Sequence, residues 1–348
     1  MSKSAGFMLV TGGAGFIGSN LAHRLAAEGE RVVLFDNLSR SGTAKNVEWL
    51  LATHPRSIEL RVGDVRDAQA VRAAVEGAAA VFHLAAQVAV TSSILDPAFD
   101  FEVNARGTLN VLEAVRASRQ KPPVVYTSTN KVYGELDDIE LRIEAKRYSP
   151  VNEGLRRRGV DEHRALDLRT PYGCSKGIGE RYVVEYARTY GLRAVALRMS
   201  CIYGPRQMGN EDQGWVAHFF RRALTDEPIT IYGDGRQVRD VLYVDDLVEA
   251  LLLAQRNVER FSGSVFNLGG GPERTLSLLE LVDAIERGCG RCPAVEFSGW
   301  RNGDQRYFVS CIERFCQAAG WRPQVRVEEG LRRLKEWVGH SMSAGVFT

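Results

Sequence analysis

The sequence predicts an α/β protein: a doubly wound parallel sheet followed by a smaller C-terminal α/β unit. Three observations carry this. Short apolar, β-branched runs alternate with helical patterns through about the first 200 residues, the signature of right-handed crossovers between parallel strands. The first run opens directly into Thr11-Gly-Gly-Ala-Gly-Phe-Ile-Gly18, a glycine-spaced turn between strand and helix. Beyond about residue 200 the elements become shorter and turn-rich, as in Tyr203-Gly-Pro-Arg, Tyr232-Gly-Asp-Gly and Asn267-Leu-Gly-Gly-Gly-Pro. With 348 residues the chain is long enough for both units and for a core that needs no disulfide or metal.

Phe7–Thr11 reads as a buried strand, and Phe16–Glu28 as a helix with Ile17, Leu21 and Leu25 at four-residue spacing. Arg31–Asp36, Ile58–Val62, Ala80–Leu84, Val124–Ser128 and Arg193–Arg198 read as further strands. The clearest helical patterns between them are Phe101–Ala117 and Tyr172–Tyr190; Glu328–Val338 is a later one. The expected division is a first domain over 1–199, a second over 200–340 partly interleaved with it, and a frayed tail over 341–348. Residues 135–170 hold nine acidic and eight basic residues and few apolar ones. They read as a solvated excursion rather than an active-site flap.

Lys and Arg number 45 and Asp and Glu 43, a net charge of +2. That balance gives no argument for binding nucleic acid or an anionic membrane. Six cysteines are too scattered for a disulfide framework, and Cys289-Gly-Arg-Cys292 lacks a second pair at zinc-site spacing. No metal is expected. No run of 18 apolar residues occurs and no apolar leader precedes the glycine turn, so a reducing, cytoplasmic setting is the expectation.

Gly12, Gly15 and Gly18 recur every three residues. Without Cβ atoms they let the backbone turn sharply and bring N–H groups against a pyrophosphate at a helix N-terminus. Asp36 closes the second strand, 18 residues after Gly18. A carboxylate there accepts from ribose hydroxyls and repels a 2′-phosphate, which favours NAD over NADP; Arg40, close by, pulls the other way. Asp64, in Gly63-Asp64-Val65 after the third strand, reads either as an adenine contact or as a helix cap. The expected fold of this half is Rossmann-type.

Tyr172-Gly-Cys-Ser-Lys176 sets a phenol and an ammonium at i and i+4, on one helix face. A free phenol titrates near 10 and is a poor base at neutral pH. A nearby ammonium and the positive ring of an oxidised nicotinamide lower that value, so the phenolate can take a proton from a sugar hydroxyl. The strand-end run Tyr126-Thr-Ser-Thr-Asn-Lys-Val-Tyr-Gly134 supplies hydroxyls, of which Thr129 is the expected partner of the reacting oxygen; Thr127 and Ser128 read as structural.

With these residues in place, nearly the whole chain resembles the extended short-chain dehydrogenase/reductase family of nucleotide-sugar epimerases and dehydratases. The matching stretches are TGGAGFIG, Asp36-Asn-Leu, Gly63-Asp64, His83-Leu-Ala-Ala86, Asn104 in NARGT, Tyr172-xxx-Lys176, Tyr203-Gly-Pro-Arg and Arg239-Asp-Val-Leu-Tyr-Val-Asp-Asp. The resemblance implies Thr129, Tyr172 and Lys176 as the catalytic set. It implies NAD, tightly bound and recycled, against Gly12, Gly15, Phe16, Ile17, Gly18, Asp36, Asn37, Ser39, Arg40, Asp64, Val65, Leu84, Ala85, Ala86, Gln87, Asn104, Thr127, Tyr172 and Lys176. It implies a nucleoside-diphosphate sugar against Gln87, Thr129, Asn130, Arg206, Gln207, Gln213, Arg239, Arg301, Asp304 and Arg306, with arginines suited to the diphosphate.

Two departures narrow the choice within the family. Dehydratases carry an Asp-Glu pair after the catalytic hydroxyl, where this chain has Asn130-Lys131. Galactose-type 4-epimerases have an Asn at the position of Cys201. STNKVYG, Asp212-Gln-Gly-Trp-Val216, Gly235-Arg-Gln-Val-Arg-Asp-Val241 and Asp304-Gln-Arg306 resemble instead the branch that inverts carbon 2 of a CDP-linked 3,6-dideoxyhexose. Inversion at carbon 4 of another nucleotide sugar is the alternative; a dehydratase or a non-catalytic dinucleotide sensor ranks lower. By analogy with the family, a homodimer or homotetramer is expected through the two long helices.

Overall fold

A computed structural model describes residues 6–290 and 294–344; Cys292 lies outside them. Seven strands form one sheet in the order Val265–Leu268, Ala194–Met199, Val124–Thr129, Ala78–His83, Phe7–Thr11, Val32–Asp36, Ile58–Val62. Every neighbouring pair runs parallel. Both faces are buried, which is why these strands read as continuous apolar runs rather than alternating ones. Along Val32–Asp36, Val32 and Leu34 enter one core, and Val33 and Phe35 enter the other. The first core packs against helices Phe16–Ala27, Thr43–Thr53 and Val244–Arg256. The second packs against Ala68–Val75, Gly107–Ala117 and Thr170–Tyr190.

The order of strands reverses between the parallel neighbours Phe7–Thr11 and Ala78–His83, because successive strands are added first on one side of Phe7–Thr11 and then on the other, so a crevice opens at their carboxyl ends, where open α/β sheets bind ligands. The glycine turn sits at that point.

The second unit is built on Val238–Tyr243. That strand pairs antiparallel with Thr275–Ser277 and parallel with Tyr307–Phe308 and Cys201–Tyr203. Ile229–Tyr232 pairs with Val295–Ser298.

Three features differ from the sequence reading. The long helix expected over Phe101–Ala117 is broken: Pro97–Phe101 and Gly107–Ala117 flank a π-helical turn, Glu102–Arg106, with Asn104 at its centre. The segment 135–170 is not a solvated excursion. Its hairpin Leu141–Ile143/Tyr148–Pro150 hydrogen-bonds to Arg236 through Tyr148, Val160 bridges to Ser310, and Leu136 and Val160 share a small core with Phe308. Its charges face outward while three apolar side chains anchor it to the second unit. Finally, the last described helix runs Val327–Ser343, so residues 341–343 of the segment expected to fray are helical, on a helix held by Leu334 and Val338 in the first core, while residues 345–348 lie outside the described residues.

Candidate active site

The crevice is a cleft of ≈ 720 Å³. Its floor is the glycine turn. Gly12 has φ +69°, and a Cβ there would lie 2.7 Å from the Ala85 nitrogen; one on Gly18 would lie 2.3 Å from the Gly12 oxygen. Only bare backbone closes the turn this tightly, which leaves the N-terminus of Phe16–Ala27 facing the cleft. Asp36 stands at the rim. Its carboxylate accepts from the Ala14 N–H at 3.0 Å and the Leu38 N–H at 2.8 Å, and burial raises its pKa while those bonds oppose the rise. The same carboxylate thus braces the glycine turn and faces the position of a ribose.

Every residue expected at the cofactor lines this cleft except Asn104. Asn104 lies behind the wall and acts through backbone: it accepts from the Gln87 N–H at 3.0 Å and donates to the Gln87 carbonyl at 3.0 Å. Asp64 reaches the cleft with its carboxylate bound by Arg66 and Asn37, and the hydrogen bond from Arg66 holds its pKa at about 2. Thr127 donates to the His83 carbonyl at 3.3 Å. Ser128, read from sequence as structural, lines the cleft with its buried hydroxyl unpartnered, and so does the Gln207 side-chain oxygen. Orphaned buried polar atoms call for a ligand. With the bare glycine turn they fit a dinucleotide.

Tyr172 and Lys176 lie side by side in the cleft wall on helix Thr170–Tyr190. Burial pushes the Tyr172 phenol up to about 12; the Thr129 hydroxyl and the Arg40 charge oppose it, and Asp100 adds to it. Burial draws Lys176 down to about 7, and its ammonium sits 4.3 Å from the centre of the Tyr126 ring. Sequence spacing predicts a lysine that tunes the phenol. In the folded chain burial outweighs that effect for both groups.

The expected substrate residues do not form one cluster. Asn130, Arg239 and Asp304 come together with Lys131 and Gln305. Arg239 donates to Asp304 at 2.7 Å, Lys131 to the Gly303 carbonyl at 2.9 Å, and Asn130 to Gln305 at 3.2 Å. Cys201 lies beside this cluster, accepting from the Trp215 indole at 3.5 Å, with Arg239 and Lys131 within electrostatic reach. Arg301 stacks 3.7 Å over the Tyr232 ring and donates to the Glu211 carbonyl at 2.8 Å. Gln213 bonds Arg40 at 2.7 Å across the cleft mouth. Arg206, at φ +70°, stacks 3.8 Å over Trp49 and still lines the cleft, whereas Arg306 lies between Trp300 and Tyr148, outside the cleft lining. Sequence reasoning missed Ser128 and the Lys131–Gly303 contact. The clustering of three hydroxyls, and a lysine where relatives keep an acid, were the available signals.

Residues 8–269 match the model of the NAD dependent epimerase/dehydratase family. A CDP-paratose 2-epimerase of Salmonella typhi is 40% identical over 337 residues, 95% of this chain and 98% of that protein. A solved UDP-glucose 4-epimerase of Thermus thermophilus, in complex with NAD, superposes with a TM-score of 0.79 at 34% identity, covering 95% of this chain and 98% of that one. A Thermotoga maritima UDP-glucose 4-epimerase, solved with UDP-glucose, gives 0.81 at 31% identity over 96% and 99%. The chain belongs to the NAD dependent epimerase/dehydratase family. It is an NAD-dependent nucleotide-sugar epimerase with NAD as its cofactor. No described helix is long and apolar enough to cross a membrane, and no metal-ligand cluster occurs among the described residues.

Proposed function

We propose that this enzyme inverts carbon 2 of a CDP-linked 3,6-dideoxyhexose, interconverting CDP-paratose and CDP-tyvelose. One observation carries the redox-neutral part of this reading. Where a dehydratase needs a carboxylic acid to release water and a base to take a ring-adjacent proton, the fold places Asn130 and Lys131. Lys131 is engaged by the Gly303 carbonyl and Asp304. A lysine tied down in this way offers no proton to a leaving hydroxyl. The choice of carbon 2 and of cytidine is supported by the similarity to the Salmonella protein and by this chain's STNKVYG and DQGWV stretches, on which the resemblance to that branch of the family rests.

Tyr172 takes the proton of the carbon 2 hydroxyl, and Thr129 shares that proton by hydrogen bond. NAD, held against the glycine turn and Asp36, would supply the acceptor for the hydride of the same carbon and the donor that restores it on the opposite face. Lys176 keeps positive charge beside the phenolate while the proton is away. Between the two transfers the sugar must turn, so the protein's grip belongs on the nucleotide. Arg239 and Arg301 are read as the diphosphate contacts, a reading supported by the bond of Arg239 to Asp304 on the 301–306 loop that carries Arg301, and binding energy from that remote part would hold the ketone in the cleft. The helices Gly107–Ala117 and Thr170–Tyr190 are read as the pairing surface of a homodimer, supported by Tyr182 and Tyr190 on the latter helix, 43% and 48% exposed.

The test is incubation of purified enzyme, with no added cofactor, with CDP-, UDP-, GDP- and dTDP-sugars, products read by NMR. The expected result is a CDP-paratose/CDP-tyvelose mixture with no net reduction of NAD. Conversion of UDP-glucose to UDP-galactose in its place would move the reaction to carbon 4. Stoichiometric reduction of NAD would make the enzyme a dehydrogenase. Tyr172→Phe should abolish turnover and retain bound cofactor.

A further inference from the structure

Asp100, on the short helix Pro97–Phe101, is fully buried. One carboxylate oxygen accepts the Ser175 hydroxyl at 2.5 Å, and the other accepts the Asn104 amide at 3.1 Å. Asn104 also donates to the Ser175 oxygen at 3.1 Å, closing a three-residue ring of polar contacts. Among the described residues no lysine or arginine forms an ion pair with Asp100. A buried carboxylate without a cation is costly: burial raises the pKa of Asp100, and the Ser175 hydrogen bond, the Lys176 charge and the Asn104 hydrogen bond oppose that rise and favour its ionised form. The charge that answers it is Lys176, next in sequence to Ser175.

We propose that Asp100 is an electrostatic positioning residue for the catalytic pair: its carboxylate, fixed by Ser175 and Asn104, keeps the Lys176 ammonium charged in a cleft whose burial would otherwise neutralise it. The inference rests on Tyr172 and Lys176 being the reacting pair.

The charged and titratable groups facing Lys176 leave this task to Asp100. On its own helix, Glu180 favours the ammonium but is held by two hydrogen bonds from Arg198, at 2.9 and 2.6 Å. From strand Val124–Thr129, the Tyr126 ring faces the ammonium, and burial keeps that phenol protonated. From strand Ala78–His83, His83 is neutral, its pKa driven to about 3 by burial. Asp100 therefore supplies negative charge that no guanidinium already consumes. Its field also disfavours the Tyr172 phenolate, so one carboxylate moves both members of the pair the same way. The same ring fixes a wall of the cleft, because Asn104 holds both backbone groups of Gln87.

Asp100→Asn removes the charge and keeps an acceptor for Ser175. Losing a negative charge lowers the pKa of Lys176 and of Tyr172 together. The kcat profile should therefore slide to lower pH by about one unit, as for loss of a charge within a few ångströms. The midpoint of the pH dependence of NAD affinity, followed by intrinsic fluorescence, should move the same way without any turnover. Asp100→Glu, which restores the charge, should return both midpoints toward the wild-type values. Asp100→Ser is the neutral variant to use if the amide fails to fold.

A neutral variant with lowered kcat and unmoved midpoints would make Asp100 a packing residue and overturn the proposal. Lys176→Met separates this failure from that of the catalytic reading. Loss of turnover in Lys176→Met alongside unmoved Asp100→Asn midpoints refutes only the role of Asp100. Retained turnover in Lys176→Met refutes the catalytic pair itself.

Discussion

Replacing Lys131 by methionine asks what holds the late substrate loop in place. Lys131 donates to the Gly303 carbonyl at 2.9 Å and approaches Asp304 at 3.9 Å, and Asp304 is also bound by Arg239 at 2.7 Å. Methionine keeps most of the aliphatic stem and removes the ammonium. A hydrogen bond from a charged donor contributes about 1.5–3 kcal/mol. The Lys131 side chain is 21% exposed, so screening places the loss near the low end, and relief from burying the ammonium offsets part of it in the fold.

The fold should therefore change little. The loss should fall on docking of the 301–306 loop, which carries Arg301 and Asp304. About 1.4 kcal/mol corresponds to a tenfold change in affinity, so KM for the nucleotide sugar should rise about tenfold. Because the contact is made alike in ground and transition states, kcat should stay within about threefold. Steady-state kinetics alongside thermal denaturation reads both quantities. An unchanged KM would refute the latch. A kcat collapse at constant KM would mean that Lys131 touches the reacting atoms.

Gly18→Ala places a methyl 2.3 Å from the Gly12 oxygen. It should abolish retention of NAD through purification, read by absorbance of the denatured supernatant; a full complement of cofactor would contradict the tight turn. Glu180→Ala strands the Arg198 guanidinium, whose pair is 0% and 5% exposed. It should cost about 3–5 kcal/mol of stability in urea unfolding, as for a broken buried pair; a loss under about 1 kcal/mol would show that the pair is solvated. His83, bonded to Thr11 at 2.7 Å and Thr108 at 3.1 Å, is held neutral down to about pH 3 against an ordinary 6.5. The unfolded chain takes up a proton that the fold refuses, so stability conferred above pH 6.5 should drain away as pH falls toward 3. His83→Gln should flatten that part of the stability profile, and an unchanged slope would rule His83 out as its source.

The inner strands of the sheet were legible because they are buried on both faces; the edge strand Ile58–Val62, with Val62 exposed, was legible from its bounds. Phe7–Thr11 and Ile58–Val62 are bounded by polar or glycine residues that stop the apolar run, and both were placed to the residue. The glycine turn was legible for a local reason too: three glycines and a strand-end carboxylate state a backbone requirement within one crossover. What escaped depends on distant partners. Val265–Leu268 becomes a strand only because Ala194–Met199 offers an edge. Leu136, Tyr148 and Val160 are sparse among charges, and only the surface presented by Phe308 and Arg236 makes them anchors. Arg306 reads as one more ligand-facing arginine, yet it lies between Trp300 and Tyr148, neighbours that its local sequence does not announce. Asp100 belongs to none of the motifs read in the sequence, and its meaning depends on Ser175 and Lys176 on another element.

The seventh strand has a practical bearing on anyone recombining such enzymes. A cut near residue 200 gives an amino-terminal piece whose sheet ends at Ala194–Met199, with open backbone donors and acceptors where Val265–Leu268 belongs. Fragments divided there should clump unless co-expressed. Chimeras that trade sugar-recognition halves between homologues must match the donated edge to its new host, or splice so that this short stretch stays with the nucleotide half.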